Sequence, residues 1–313
     1  MLQRAILNTA WPNIAQRLFA LIVMVAYFLS GQLSFAADTS TIASNSSATT
    51  LKTTYTQLAK QLANNQFKRA IYLKSAESPH DLKGEIYAVI NYPFDSVNIA
   101  LNNPANWCDV LILHINVKYC HAATSGSNTS LLVNLGKKFD QPLADAYRVE
   151  FNYQPLKNAT DYFGVALNAK DGPLGTHDYQ IWIEATPIDS GHTFLHFTYA
   201  YSFGLSGRIA MKGYLATAGR DKVGFTPLNT NATTDADYIQ GVRGVVERNT
   251  MRYYLAIDAY LAALKTAPAA QFDKRLQLWF TSTDQYARQL HEVELEDYMA
   301  MKHKEYARQQ TTQ

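Results

Sequence analysis

Between residues 85 and 203 the chain alternates apolar and polar side chains in seven short runs, at 85–92, 111–120, 131–139, 147–154, 162–169, 179–186 and 194–203. A period of two places successive side chains on opposite faces of an extended strand. Gly, Pro, Asn and Asp punctuate the runs, and most connections are too short for the crossovers that parallel strands need. An antiparallel sheet of about six or seven strands follows. After residue 204 the period changes to 3.6. Residues 206–218 read as a short helix, and 240–265 as a long one with Val242, Val245, Val246, Asn249, Tyr253, Ala256, Ile257, Tyr260 and Leu264 along one stripe. The class is α+β.

The flanks are helical. Leu58, Leu62, Phe67 and Ile71 recur at helical intervals over 55–73. Pro93 can open a helix carrying Phe94, Val97 and Leu101 on one face, which Asn102-Asn103-Pro104 ends. Beyond Pro268, a further amphipathic helix carries Phe272, Leu276, Trp279, Thr283, Tyr286, Leu290 and Val293 and runs into a charged tail. Residues 37–54 are almost entirely Ser, Thr, Ala and Asn, which bury too little apolar surface to order themselves and read as a linker. The expected organisation is a leader over 1–36, a linker over 37–54, a folded domain over 55–265 and a helical extension over 266–313.

The leader has the form of a secretory signal peptide. Arg4 and Arg17 stand without an acid, residues 18–29 are uninterruptedly apolar, and Ser34-Phe35-Ala36 offers small residues at −3 and −1. An uncleaved anchor is the rival reading, since the apolar stretch nearly reaches the length of a bilayer span. Either way the bulk of the chain is expected outside the cytoplasm, in a periplasm. Cleavage takes two arginines and no acid from 28 basic and 26 acidic residues, leaving 26 of each. Such a neutral chain lacks the clustered Lys and Arg that nucleic acid binding needs. The two cysteines, Cys108 and Cys120, are close in sequence, and an oxidising compartment makes their pairing the simplest expectation.

The order of elements resembles the START and polyketide-cyclase-like (helix-grip) superfamily. Gly84-Glu-Ile-Tyr-Ala-Val-Ile-Asn-Tyr-Pro-Phe-Asp-Ser-Val is similar to its opening strand and first helix. Gly241-Val-Arg-Gly-Val-Val-Glu-Arg-Asn-Thr-Met-Arg-Tyr-Tyr-Leu is similar to its closing helix. The likeness spans about residues 84–265 and implies a curved sheet around the last long helix with a cavity between them. More narrowly, Asn106-Trp-Cys-Asp, His114-Ile-Asn-Val-Lys, Gly172-Pro-Leu-Gly-Thr and Glu247-Arg-Asn-Thr-Met-Arg-Tyr-Tyr resemble an exported proteobacterial family, a likeness that carries no activity with it.

Within that implied cavity, Asn249 interrupts an apolar stripe and must meet either the sheet or a ligand, because a buried amide without a partner is costly. Tyr253 lies on the same stripe. Arg243 and Glu247 are spaced for an intrahelical pair. With Glu247 so paired, Arg248 and Arg252 are left with no acid three or four residues away on their helix, and either fits an anionic head group or a sheet carboxylate such as Glu184 or Glu150. His114, Asn116 and Lys118 share one strand face, and Trp182 shares another with Glu184; these faces meet either a ligand or water. Gly204-Leu-Ser-Gly207 followed by Arg208 falls short of a nucleophile elbow, and no metal or cofactor motif is present. The expected function is a non-catalytic periplasmic carrier of an apolar or lipid-like ligand, without cofactor. Its rivals are a cyclase- or hydrolase-like enzyme using His114 or Glu184, and an envelope scaffold whose tail, 290–310, docks on a partner protein.

Overall fold

The computed structural model describes residues 47–217, 219–229 and 237–311. The leader and the first part of the linker lie outside them. Two short helices come first, α1 (Ala48–Gln57) and α2 (Ala59–Ala63). The segment read as a linker is therefore helical from Ala48 onward. Ser47 caps it by accepting the amide of Thr50 at 3.2 Å, and Leu51 is buried beneath it. The helix expected to reach residue 73 stops at Ala63, where the Asn65 amide turns back onto the carbonyls of Gln61 and Leu62.

Eight strands follow, one more than the upper expectation: β1 (Ile71–Glu77), β2 (Asp81–Ile90), β3 (Val117–Ser125), β4 (Asn128–Leu135), β5 (Tyr147–Ala159), β6 (Tyr162–Asp171), β7 (Thr176–Pro187) and β8 (Thr193–Phe203). They form one sheet in the order β1-β2-β8-β7-β6-β5-β4-β3, antiparallel throughout. After β2 the chain crosses to the far edge through α3 (Phe94–Leu101) and α4 (Pro104–Leu111), then winds back strand by strand until β8 closes on β2. Residues 111–116, expected in a strand, instead complete α4 and a buried turn, so β3 begins only at Val117. Asn103 caps α4 and Pro104 occupies its first turn, a start signal that outweighs the chance alternation downstream.

Helix α5 (Leu205–Ala216) follows β8, and α6 (Gly241–Ala262) is the long helix the sheet grips. Ile86 and Ala88 of β2, Phe163 and Val165 of β6, Ile183 of β7 and Phe197 of β8 share one core with Met251, Leu255 and Ile257 of α6. Edge residues Ile71 of β1 and Val117 of β3 join that same core, so the sheet curves around the helix. Each fully buried aliphatic side chain there is worth about 2 kcal/mol of removed apolar surface. Contact between helix and sheet is closest at Gly84, where a Cβ would overlap the Thr250 hydroxyl. The curved antiparallel sheet around a long helix is a helix grip.

The C-terminal extension is two main helices, α7 (Pro268–Asp284) and α9 (Leu295–Gln309), with a single turn, α8 (Ala287–Leu290), between them. The charged tail folds back onto the chain's own β3. Lys118, expected on a wet strand face, is fully buried and pairs with Glu305 at 2.9 Å. Lys302 also binds Glu305, at 2.7 Å, and donates to the carbonyls of His114 and Val117. Beside this latch, Cys108 of α4 and Cys120 of β3 form the expected disulfide, with Cα atoms 5.1 Å apart.

Candidate functional site

Accessibility along the inner face of the sheet is uneven. On β8, Leu195 and Phe197 are closed to solvent, whereas Tyr199 and Tyr201 retain 5% and 6% of their surface. On β7, Ile183 is closed and Tyr179 keeps 6%; on α6, Met251 and Leu255 are closed and Tyr253 keeps 7%. These tyrosines form one group: Tyr179 stacks on Tyr201 at 5.1 Å and Tyr199 lies 5.2 Å from Tyr253 across the gap between sheet and helix. Val242, Val245 and Asn249, the start of the α6 stripe, are half-buried. This tyrosine group is itself part of the buried core and lies beneath α5, whose Met211 meets the Tyr201 hydroxyl at 3.9 Å.

Polar groups converge on the same end of α6. Asn249 is not free: its Oδ1 accepts from Arg252 Nη1 at 3.2 Å. Arg252 pairs with Glu292 at 2.5 Å and not with a sheet carboxylate. The expected Arg243 and Glu247 pair is absent. Both side chains meet Ser75 instead, and Glu247 also accepts from the amides of Phe225 and Thr226 and from the Thr226 hydroxyl. Arg248 is 1% exposed and its only hydrogen bond among the described residues is to the Val223 carbonyl, at 3.1 Å. Its Nη2, Arg252 Nε and His114 Nε2 are buried with no partner among the described residues. His114 stacks on Tyr253 at 4.5 Å, and its Nδ1 accepts from the Asn116 amide, which leaves the proton on Nε2. Burial, then the charge of Arg252, pushes the His114 pKa well below its ordinary value, so the ring is neutral.

Three further residues complete this region without having stood out in the sequence. Lys138 binds Glu292 at 2.7 Å and reaches the Tyr214 hydroxyl at 3.4 Å, while Lys222 donates to the His291 carbonyl. No spacing marks them, because they come from three separate loops and helices. A neighbouring surface recess, with room for about one water, is lined by Trp279, Tyr298, His291 and Glu292, and by neither Arg248 nor Tyr253.

Glu184 and Trp182, expected to share a site with the arginines, sit on the opposite face of the sheet. Their inward neighbours Ile181, Ile183 and Ala185 take the core side, so the period of two sends Glu184 and Trp182 outward. There His196 bridges Glu184 at 2.9 Å and Glu85 at 3.0 Å, with Tyr87 stacked on the imidazole at 4.1 Å and Tyr162 bonded to Glu184 at 2.8 Å. Trp182 lies 5.9 Å from His196. Helices α1 and α2 cap this face, their Leu51 and Leu62 clustering with Tyr87, Tyr162 and Phe194 of the sheet. His114 and Glu184 therefore cannot act together on one substrate. No group of His, Cys, Asp and Glu among the described residues could hold a metal ion.

A helix grip with a tyrosine cluster between sheet and helix and a basic, partly unsatisfied wall is the class that fold and site define. No protein-family profile matches the chain, and no curated protein matches it. Among solved structures that align with it are the Zhui aromatase/cyclase from Streptomyces sp. R1128, norcoclaurine synthase from Thalictrum flavum, and human StAR-related lipid transfer protein 5. The first has 8% identity over 65% of this chain and 94% of that one, at a TM-score of 0.34. The second has 14% identity over 48% and 80%, at 0.31, and the third 8% over 56% and 90%, at 0.29. At such values any function must rest on this chain's own residues.

Proposed function

We propose that the protein binds an apolar, lipid-like molecule between its sheet and α6, and carries it outside the cytoplasm without altering it. The observation that carries this reading is the change of lining on the inner face, from aliphatic and phenylalanine side chains to a group of tyrosines. Aliphatic and phenylalanine side chains fill one part of that face, and the buried group Tyr179, Tyr199, Tyr201 and Tyr253 brings four phenol hydroxyls into the other. Tyrosine suits such a place, since its ring lines an apolar space while its hydroxyl tolerates water or a polar ligand group. Removing ligand surface from water at ~25 cal/mol per Å² supplies the affinity. The signal-like leader and the Cys108–Cys120 disulfide support action in an oxidising compartment.

Purification of the exported protein under native conditions, followed by organic extraction and mass spectrometry, tests this. A stoichiometric apolar compound is the expected result. A stable protein that is empty, and that takes up no alkyl probe, would overturn it.

A further inference from the structure

The basic wall of the grip holds more positive charge than the acids among the described residues neutralise. Arg248, Arg252, Lys138 and Lys222 lie within electrostatic reach of one another. Among the described residues one carboxylate, Glu292, serves them, and its Oε1 is already shared by Arg252 and Lys138. The consequence shows in Tyr214. Burial alone would raise its phenol pKa, yet Lys138 and Arg248 bring it below the ordinary value. A buried guanidinium that meets one backbone carbonyl and no acid is expensive to keep, and its planar fork is shaped for two oxygens of one anion. Arg248 presents that fork half-used: Nη1 is taken by Val223 and Nη2 has no partner among the described residues.

We infer that this wall is an anion site, in which Arg248, assisted by Arg252 and Lys138, receives a carboxylate or phosphate group carried by the apolar ligand. This rests on the proposed apolar-ligand reading and narrows it to acid-headed amphiphiles. The same oxygens could also come from a free anion. Lys138 stands on the site's wetter side, with a quarter of its side chain exposed, and so serves entry; Arg248 is the enclosed end.

The test uses the full exported protein, stripped of ligand, with dodecanoate, dodecyl phosphate, dodecan-1-ol and inorganic phosphate as probes, read by calorimetry and thermal shift. Both acid-headed probes should bind at least about tenfold tighter than the alcohol, as expected for a charge-assisted contact. Arg248→Gln should remove that advantage and leave the alcohol unchanged. Lys138→Gln, at a less buried position, should reduce it in the same sense and keeps the test open should Arg248→Gln fail to fold. Equal binding of acid and alcohol, insensitive to the folded variants, would overturn the anion site while the apolar reading stands. Stabilisation by inorganic phosphate that depends on Arg248 or Lys138, without uptake of any dodecyl probe, would keep the anion site and overturn the carrier reading. No response to any probe would overturn both.

Discussion

His196 is the side chain whose surroundings make the sharpest demand. Both ring nitrogens face carboxylates, so the ring is held as an imidazolium. Burial opposes the charge, but the bonds to Glu184 and Glu85 carry its pKa above the ordinary 6.5. Burial would likewise raise the Glu85 carboxyl, yet His196, then Lys83 and Lys74, hold it far below the ordinary 4.5. A raised histidine stabilises the fold fully below about 6.5 and loses that contribution as pH rises through the folded value. A depressed carboxyl stabilises above about 4.5 and loses its contribution as pH falls. Both are present together between those limits. Replacing the ring by an amide strands two carboxylates against each other, so His196→Gln should cost about 3 kcal/mol near pH 5.5 and less at pH 9. Urea unfolding at several pH values checks this, and a pH-independent difference would contradict it.

At the scale of elements, the fold is held at one edge by a polar latch. Lys118 and Lys302 are fully buried, each bonded to backbone carbonyls, and Glu305 is the one carboxylate between them. Burial still wins at Lys302, whose pKa is pushed down to about 8 in spite of Glu305. Glu305→Gln leaves two enclosed ammonium groups without a counter-charge and should destabilise by about 3–5 kcal/mol. Hydrogen exchange should then quicken first in α9 and in the Val117–Ser125 strand it covers. Little of this latch was legible in the sequence, and the reason is general to the misread segments. Alternation reports a strand with one wet face, and it carried the six strands from β2 and β4 to β8. It fails where an element is buried on every side, as at the turn 111–116 and at Lys118, or where few apolar residues suffice, as in α1 with Leu51. For α6 the stripe was found, but the partners of the residues off it were not: Glu247, read as an intrahelical partner of Arg243, and Arg248, read as the holder of a head group or a sheet carboxylate, meet the 219–229 loop, and Arg252 meets Glu292.

On the scale of the whole molecule, the sheet divides the chain into two chemistries that share no side chain. Its outer face carries the Glu85, His196 and Glu184 bridge under α1 and α2. Its inner face carries the tyrosines and the basic wall around α6. Strand alternation enforces that division, because His196 stands between Leu195 and Phe197 and can reach the interior only if β8 slips by a residue, which would turn every one of its core side chains outward. The two sites should therefore behave as independent perturbations. Effects at distant positions with no common partner add to within a few tenths of a kcal/mol, so His196→Gln should leave the affinity for dodecanoate within about twofold of the wild-type value at pH 7. Calorimetric titration of the folded variant measures this directly. A larger loss would mean that the outer bridge governs the interior, through the pairing of β2 and β8 that sets Gly84 opposite Tyr199, and the two faces would then have to be treated as one coupled device.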